Sequence, residues 1–458
     1  MSAIKLGLIG NPLGHSMSPF IHDQIMSAVG ITASYELYDI RPEDLPKYVP
    51  FLLRDLHGFN VTIPYKEEIM KYLSDNDESV STIKAVNTVF GGRGYNTDFI
   101  GFREVGIDMK DRRVLLLGAG GVARVMAFEA ASSCKSLTIQ ARNTEKAMRL
   151  AEDIRRYVNR DDAFSIDVMD DDACPSDAHY DVVLNATPVG MWPKCAQTPA
   201  CAAVIGPGTT VFDTIYNPPA TKLVLQARKA GANAIGGLSM LVNQAIAAQK
   251  IWFPEVVFPD HIETQVMALL PKKLLARSPM KIVLTGFMGS GKSTVGQMLA
   301  HRLGIAYFDT DQEVERVCGM PVSKVFAQDG EAGFRRVESA VFAECVNQSG
   351  AKTASACVIS TGGGLITQES NRNLISQDSV LNVFLDASMD CIWQRISSES
   401  HRPLIQYGTE EADRFRKAAE LFDVRLPVYE STCDVKVSAD DEPEVVVRNI
   451  LKALGYGG

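Results

Sequence analysis

The chain has 458 residues, 46% of them apolar and 22% charged, and a net charge of −9. That length exceeds one ordinary domain and predicts two or three, each able to bury a core. The acidic balance argues against nonspecific nucleic-acid or anionic-membrane binding, though not against a local anion site. Nine cysteines, from Cys134 to Cys433, form no CxxC pair, which points to reduced thiols rather than a disulfide frame or a zinc site. The first residues are too short an apolar run for a signal peptide, and no stretch approaches membrane-spanning length. A soluble cytoplasmic protein is the expectation.

Residues 1–105 alternate strands and helices. Residues 4–9 read as a strand ended by Gly10-Asn11-Pro12, and 19–29 as a helix ended by Gly30. Residues 35–40 and 58–63 read as strands, the second followed by Pro64 and a helix through Leu73. This alternation predicts a mostly parallel sheet covered on both faces. Polar clusters fall at the strand ends, where such sheets bind ligands. They are His15-Ser16-Met17-Ser18, Asn60-Val61-Thr62 with Tyr65-Lys66, Asn87-Thr88 and Asn96-Thr97-Asp98. Hydroxyls and amides dominate, so a hydroxyl-rich ligand is expected. Lys66 and Asp98 offer a proton-transfer pair for alcohol–ketone interconversion, provided the fold joins them. On spacing alone each serves equally as a surface charge or an N-cap.

Residues 106–237 form a second α/β pattern. The strand at 113–117 leads into Gly118-Ala119-Gly120-Gly121-Val122-Ala123, then a small-residue helix and a strand at 136–140. This GxGGxA turn is a variant of the dinucleotide-binding turn, and its place between strand and helix strengthens it over a phosphate-free turn. After the second strand stands Ala141-Arg142-Asn143. A cation there suits a 2′-phosphate and favours NADP over NAD; the alternative is an exposed loop charge. Residues 238–251 and 261–270 read as helices, the first folding back on the N-terminal unit. Residues 271–279, with two prolines and no periodicity, read as a linker.

Residues 286–293, GFMGSGKS, follow the apolar run 282–284 and precede a helical pattern. Strand, glycine-rich loop and a helix opening on Lys-Ser make a phosphate cradle. Gly289, Ser290 and Gly291 bring backbone N–H groups near phosphate oxygens, Lys292 reaches the β- and γ-phosphates, and Ser293, followed by Thr294, holds Mg²⁺. ATP and Mg²⁺ are therefore expected ligands. Downstream, Asp309-Thr310-Asp311 ends a short strand and suits Mg²⁺ and an acceptor hydroxyl, although Asp311 also reads as an N-cap. Arg335 and Arg336 follow Gly333-Phe334, and Gly362, Gly363 and Gly364 open a strand end. Arg402 lies in a polar stretch with the character of a lid, and Arg425 precedes Leu426-Pro427.

Residues 1–272 resemble shikimate dehydrogenase, on GNPLGHSMSPFIH, NVTIPYKEE, AVNTV, YNTDF, GAGGVAR, NATPVGM, IYNP and GLSMLVNQA in order. The resemblance implies an open α/β catalytic domain, 1–105 with 238–270, and a Rossmann-like NADP domain, 106–237. It places Ser16, Ser18, Asn60, Thr62, Asn87, Asp98, Tyr216 and Gln244 around the substrate, with Lys66 and Asp98 carrying the proton. It assigns Gly118–Ala123 to the pyrophosphate, Arg142 to the 2′-phosphate, and Thr187, Met191, Gly237 and Met240 to the nicotinamide side. Two departures stand out. Phe99 replaces the family's Gly after NTD, which bars a glycine-only conformation there. Ala141-Arg142-Asn143 replaces Asn-Arg-Thr, keeping the cation but removing a hydrogen-bonding side chain.

Residues 280–458 resemble shikimate kinase, on GFMGSGKST, DTD, GFRRVE, STGGG, RPL and RLPVYE. That resemblance implies a P-loop, nucleoside monophosphate kinase-like parallel-sheet domain. Asp311, Arg335, Gly362–Gly364 and Arg425 then bind shikimate, Ser293 ligates Mg²⁺ and Asp309 supports it through water. Lys292 and Arg402 stabilise the transferring phosphoryl group, Asp311 is base or orienter, and Arg395 stacks on adenine. The combined expectation is one α/β enzyme that makes shikimate from 3-dehydroshikimate with NADPH and phosphorylates it with ATP. Competing readings are a quinate dehydrogenase using NAD, a binding regulator with dead sites, and a GTPase. The cation at 142, intact catalytic residue types and the lack of an NKxD motif weigh against them in turn.

Overall fold

A computed structural model describes residues 4–14, 16–158, 164–170, 179–200, 204–347, 356–397 and 411–457. The chain divides into two compact units, Met1–Val189 with Thr198–Leu270, and Gly190–Gln197 with Pro271–Gly457.

The first unit holds two six-stranded sheets. The first sheet comprises β1 (Ile4–Gly10), β2 (Ala33–Asp39), β3 (Gly58–Val61), β4 (Asp75–Asn76), β5 (Thr88–Phe90) and β6 (Arg93–Tyr95), ordered β2-β1-β3-β5-β6-β4. β1 pairs in parallel with β2 and β3, as the alternation predicts. β5, however, is antiparallel to both β3 and β6. The β5–β6 pair has a local reason: Gly91 and Gly92 take φ of 57° and 78°, the geometry of a two-residue hairpin turn. Two further local features stand out. Glu68–Tyr72 is a 3₁₀ turn, where a longer helix is expected. Leu45–Asp55 is an α-helix despite Pro46 and Pro50, because Leu45, Val49 and Leu52 share one buried face.

The second sheet comprises β7 (Arg113–Leu117), β8 (Ser136–Gln140), β9 (Ser165–Met169), β10 (Val182–Asn185), β11 (Thr210–Asp213) and β12 (Asn233–Ile235). Its order, β12-β11-β10-β7-β8-β9, is parallel throughout. Runs such as Val114–Leu117 and Val182–Leu184 are buried, as strands covered on both faces must be. Helix Leu238–Trp252 returns to the first sheet's side and packs on helices Ser18–Val29 and Thr97–Glu104. Helix Ile262–Arg277 runs through Pro271, so most of the stretch read as a linker is helical. Leu270, Leu274 and Leu275 give it a buried face, at a helical spacing that continues across the proline.

The second unit is built on β13 (Lys281–Thr285), β14 (Ala306–Asp309), β15 (Cys357–Ser360), β16 (Val380–Asp386) and β17 (Val435–Ser438), all parallel, ordered β14-β15-β13-β16-β17. Within Val322–Asn347, Gly330 has φ 70°, so this span is two helices meeting at a break. The second of them presents Arg335 and Glu338.

Gly58 on β3 lies against Trp252, whose Nε1 donates to Val89 O at 3.1 Å. A Cβ at position 58 would overlap the indole. Gly58→Ala is therefore expected to destabilise the first unit by roughly 1–3 kcal/mol, as overpacking does. Urea denaturation followed by Trp fluorescence and far-UV circular dichroism checks it.

Candidate active sites

In the first unit, a cavity of about 350 Å³ opens where the carboxyl ends of the strands meet helix Leu238–Trp252. Ser16, Ser18, Asn60, Thr62, Lys66, Asn87, Asp98, Tyr216, Gly237, Met240 and Gln244 all line it. Lys66 Nζ lies 2.6 Å from Asp98 Oδ2, with both side chains largely covered. Thirty-two residues apart, they meet because Lys66 follows β3 and Asp98 opens helix Thr97–Glu104. Asn96 caps that helix by accepting from Phe99 N at 3.1 Å. Phe99 thus sits in ordinary helical backbone, so no glycine conformation is needed there. Its ring lies under the Arg103 guanidinium at 4.5 Å.

The amides are held before any ligand arrives. Asn60 donates through Nδ2 to Asn87 O at 3.1 Å and Thr88 Oγ1 at 3.0 Å, and accepts from Tyr35 OH at 2.8 Å. Asn87 Oδ1 accepts from Thr97 N at 2.7 Å. His22 stacks on Tyr35 at 4.2 Å, and full burial lowers its pKa to about 3, which keeps the ring neutral. Leu8, Pro12, Leu13, Val61, Val122, Thr214 and Leu241 complete the lining. Of these, the sequence reading gave a site role only to Val122, in the dinucleotide turn. Apolar residues next to polar ones at strand ends were the available signal.

The Gly118–Ala123 turn joins β7 to helix Gly121–Ala131. Gly118 has φ 103° and faces Ala186 and Thr187 across β10. Nothing lies within 4 Å of a Cβ built on Gly120 or Gly121, so backbone N–H groups at the helix start are open to a pyrophosphate. Val122 reaches the cavity, which ties this turn to it. Ala141 is buried and Arg142 exposed, while Asn143 caps helix Thr144–Tyr157. An exposed guanidinium at that strand end fits a 2′-phosphate. Thr187 and Arg142 lie outside the cavity lining, and Met191 is 46% exposed in a segment grouped with the second unit.

In the second unit, Gly286, Gly289 and Gly291 take φ of 147°, 78° and 87° in the loop between β13 and helix Lys292–Leu303. Lys292 Nζ donates to Gly286 O at 2.9 Å and Phe287 O at 2.7 Å, curling over the loop it serves. Ser290 is buried in the loop, and Thr294 is exposed on the first helical turn. Ser293 Oγ donates to Asp309 Oδ2 at 2.7 Å, which Tyr307 OH also reaches at 3.1 Å. This hydroxyl–carboxylate pair suits Mg²⁺, an ion that takes one or two protein ligands beside phosphate and water. Asp309, not Asp311, caps the next helix, accepting from Asp311 N at 3.1 Å. That removes the capping alternative for Asp311.

Around it gather Arg335, Glu338, Gly362–Gly364 and Arg425. Arg335 Nη1 donates to Glu338 Oε2 at 2.7 Å, and Arg425 Nη1 to Gly363 O at 3.2 Å. Tyr429 OH also donates to Gly363 O. A Cβ on Gly362 would overlap Glu338, and one on Gly364 would overlap the Arg335 guanidinium. The glycines therefore admit these side chains as well as a ligand. Burial pushes the Glu338 carboxyl up to about 7 against the opposing pull of Arg335. Glu338 was missed as a site residue, although its i,i+3 spacing from Arg335 marked it. Arg336 points to solvent. Arg395 donates to Gly289 O at 3.3 Å and Ala439 O at 3.1 Å, beside the phosphate loop. Arg402 and His15 lie outside the described residues.

Residues 8–89 match the family model of the shikimate dehydrogenase substrate-binding domain, and 288–455 that of shikimate kinase. Shikimate dehydrogenase (NADP(+)) of Caldicellulosiruptor saccharolyticus is 38% identical over 298 residues, covering 59% of this chain and 99% of the relative. The chain belongs to the shikimate dehydrogenase family. With its kinase domain it is a fusion of shikimate dehydrogenase and shikimate kinase, a bifunctional shikimate-pathway enzyme. A shikimate dehydrogenase crystal structure in complex with NADP+ is 36% identical, with a TM-score of 0.52, and covers 58% of this chain and 94% of its own. A chorismate mutase/shikimate 5-dehydrogenase fusion from Clostridium acetobutylicum is 33% identical, with a TM-score of 0.53, covering 60% and 99%.

The dehydrogenase half also holds a buried carboxyl away from the cavity lining. Asp213 accepts from Asn185, Ile215 N and Thr221, and burial pushes its pKa from 3.8 up to about 6. A raised acid favours the folded state below pH 4 and loses that contribution as pH climbs to about 6. Neutral His22 has the opposite slope, because its depressed pKa favours folding more as pH rises. Comparing Asp213→Asn with wild type isolates the Asp213 contribution. The stability of wild type relative to the variant should fall between pH 4 and 6, as read by denaturation at a series of pH values.

Proposed function

We propose that the first unit reduces the ring ketone of 3-dehydroshikimate to shikimate, and that the second phosphorylates the 3-hydroxyl of shikimate. The observation that carries this reading is the convergence of Lys66, Asp98 and a ring of hydroxyls and amides in one cavity beside a dinucleotide turn. Residues 1–105 with 238–270 serve as substrate domain, 106–237 as nucleotide domain and 280–458 as kinase.

Bound NADPH supplies the hydride to the carbonyl carbon. Lys66 gives its proton to the carbonyl oxygen as that oxygen becomes a hydroxyl. Asp98 holds the ammonium in place and accepts a hydrogen bond from the neighbouring ring hydroxyl. Ser16, Ser18, Asn60, Thr62, Asn87, Tyr216 and Gln244 orient the carboxylate and hydroxyls. Gly118–Ala123 receives the pyrophosphate and Arg142 the 2′-phosphate, while Thr187, Gly237 and Met240 bound the nicotinamide side.

In the kinase, bound Mg²⁺–ATP supplies the phosphoryl group. Gly289–Thr294 cradles its phosphates, Lys292 balances their charge, and Ser293, with Asp309 through water, holds the metal. Arg395 packs against the base. Arg335 and Arg425 pair with the shikimate carboxylate and Gly362–Gly364 approach the ring, while Asp311 orients the acceptor hydroxyl. Its ligands are small molecules. A cytoplasmic site of action is supported by the lack of disulfides among the described cysteines.

A coupled assay with 3-dehydroshikimate, NADPH, ATP and Mg²⁺ should yield shikimate 3-phosphate only when both nucleotides are present. Product without NADPH, or none with both, overturns the reading. Lys66→Ala should lower dehydrogenase turnover by about 10²–10⁴-fold with little change in substrate KM, and leave the kinase rate intact. Unchanged turnover would remove Lys66 from catalysis. Arg335→Ala should raise the kinase KM for shikimate roughly tenfold or more and spare the dehydrogenase, as separate initial-rate assays would show.

A further inference from the structure

Asp213 does not itself line the dehydrogenase cavity, yet two cavity-lining segments, and Thr187 beside the dinucleotide turn, hang from it. It ends β11 directly opposite Asn185, which ends β10. The two side chains are joined by Asn185 Nδ2 donating to Asp213 Oδ1 at 2.9 Å. Both are 0% exposed.

From Asn185 the bonds run toward the dinucleotide turn. Its Oδ1 accepts from Thr187 N at 3.0 Å and Thr187 Oγ1 at 2.7 Å. Thr187 in turn abuts Gly118. From Asp213 they run toward the ring-binding side. Oδ1 also accepts from Ile215 N at 3.0 Å, and Oδ2 from Thr221 Oγ1 at 2.5 Å. Those bonds close the loop carrying Thr214 and Tyr216, both cavity-lining. The backbone of that loop then holds the third segment. Gly237 N donates to Ile215 O at 3.0 Å, and a Cβ on Gly237 would overlap Thr214 O. Gly237 and Met240 line the cavity next to it.

We propose that Asp213 is a positioning residue of the dehydrogenase: its two oxygens set the relative placement of Thr187, the Thr214–Tyr216 loop and Gly237. This inference rests on the dehydrogenase reading above and adds a residue to its machinery. What the network uses is acceptor geometry, not negative charge. Among the described residues, each partner of the carboxyl is a neutral donor, and burial raises its pKa rather than lowering it. An amide in its place keeps Oδ1 for Ile215 N and Asn185. Thr221, whose Oγ1 also accepts from Val224 N at 3.3 Å, can rotate its hydroxyl to meet the amide. Alanine leaves three buried donors, Asn185 Nδ2, Ile215 N and Thr221 Oγ1, unanswered and frees the loops.

The test compares wild type, Asp213→Asn, Asp213→Ala and Thr221→Val in the full chain, assayed well below each melting temperature. The kinase rate of the same sample gives the enzyme concentration. Asp213→Ala should lower dehydrogenase kcat/KM roughly tenfold or more, with raised KM for both ring substrate and NADPH. Asp213→Asn should remain within roughly threefold of wild type, and Thr221→Val should raise KM by roughly threefold. A residue that merely stabilises the fold would lower the melting temperature of Asp213→Ala and leave kcat and KM of the folded enzyme unchanged. That result overturns the proposal, as does Asp213→Asn being as damaged as Asp213→Ala. Should Asp213→Ala fail to fold, unchanged KM values in Thr221→Val overturn it. A wild-type chain that does not reduce 3-dehydroshikimate sinks the dehydrogenase reading instead, so the two failures are distinct.

Discussion

Parallel strands all release their loops at one edge, and the chemistry of this chain depends on that constraint. A parallel sheet must be covered on both faces by its crossover helices. The carboxyl ends of its strands are what remains for ligands. In the first unit, β3 delivers Lys66, β7 the dinucleotide turn, β10 Thr187 and β11 Tyr216. In the second, β13 delivers the phosphate loop, β14 the Asp309–Asp311 pair and β15 the three glycines. Residues hundreds of positions apart need no special mechanism to meet, because register along each sheet brings them to the same edge.

The two sites differ in how they handle charge. The dehydrogenase cavity is mainly neutral hydrogen-bonding groups with a single Lys66–Asp98 pair, which suits a substrate whose reacting carbonyl is uncharged. Its amides are locked against one another, so Asn60 and Asn87 meet a ligand with little rotamer freedom left to lose. The kinase cleft instead gathers Lys292, Arg335 and Arg425 beside Asp309, Asp311 and Glu338. A phosphoryl group in transit spreads negative charge over its oxygens, and cations fixed in a covered site meet it at low cost in reorganisation. Removing Cβ at positions 362 and 364 lets that crowding exist without backbone strain.

Some differences between sequence and structure have the same physical origin. The hairpin at Gly91-Gly92 turns an otherwise parallel sheet mixed, yet two glycines between short strands are a turn signal that a βα alternation reading overrides. Pro271 reads as a break, but Leu270, Leu274 and Leu275 have a core to bury, and that burial outweighs the lost hydrogen bond. The Phe99 substitution reads as a backbone problem and is none, since the position is helical.

Residue type and local order were enough to specify the three α/β patterns, the phosphate loop, the dinucleotide turn and the strand-end polar groups of the first cavity, while Tyr216 and Gln244 came only from the family resemblance. These depend on short-range rules: glycine where backbone must come close, hydroxyls and amides at strand ends, alternation that implies parallel pairing. Only the tertiary structure decided that Lys66 reaches Asp98, that Asp309 rather than Asp311 caps its helix, that Glu338 pairs with Arg335, and that Asp213 joins Asn185. Those outcomes depend on which strand lies beside which and on how deeply a carboxyl is buried. Both are properties of the packed chain that no local window of residues contains.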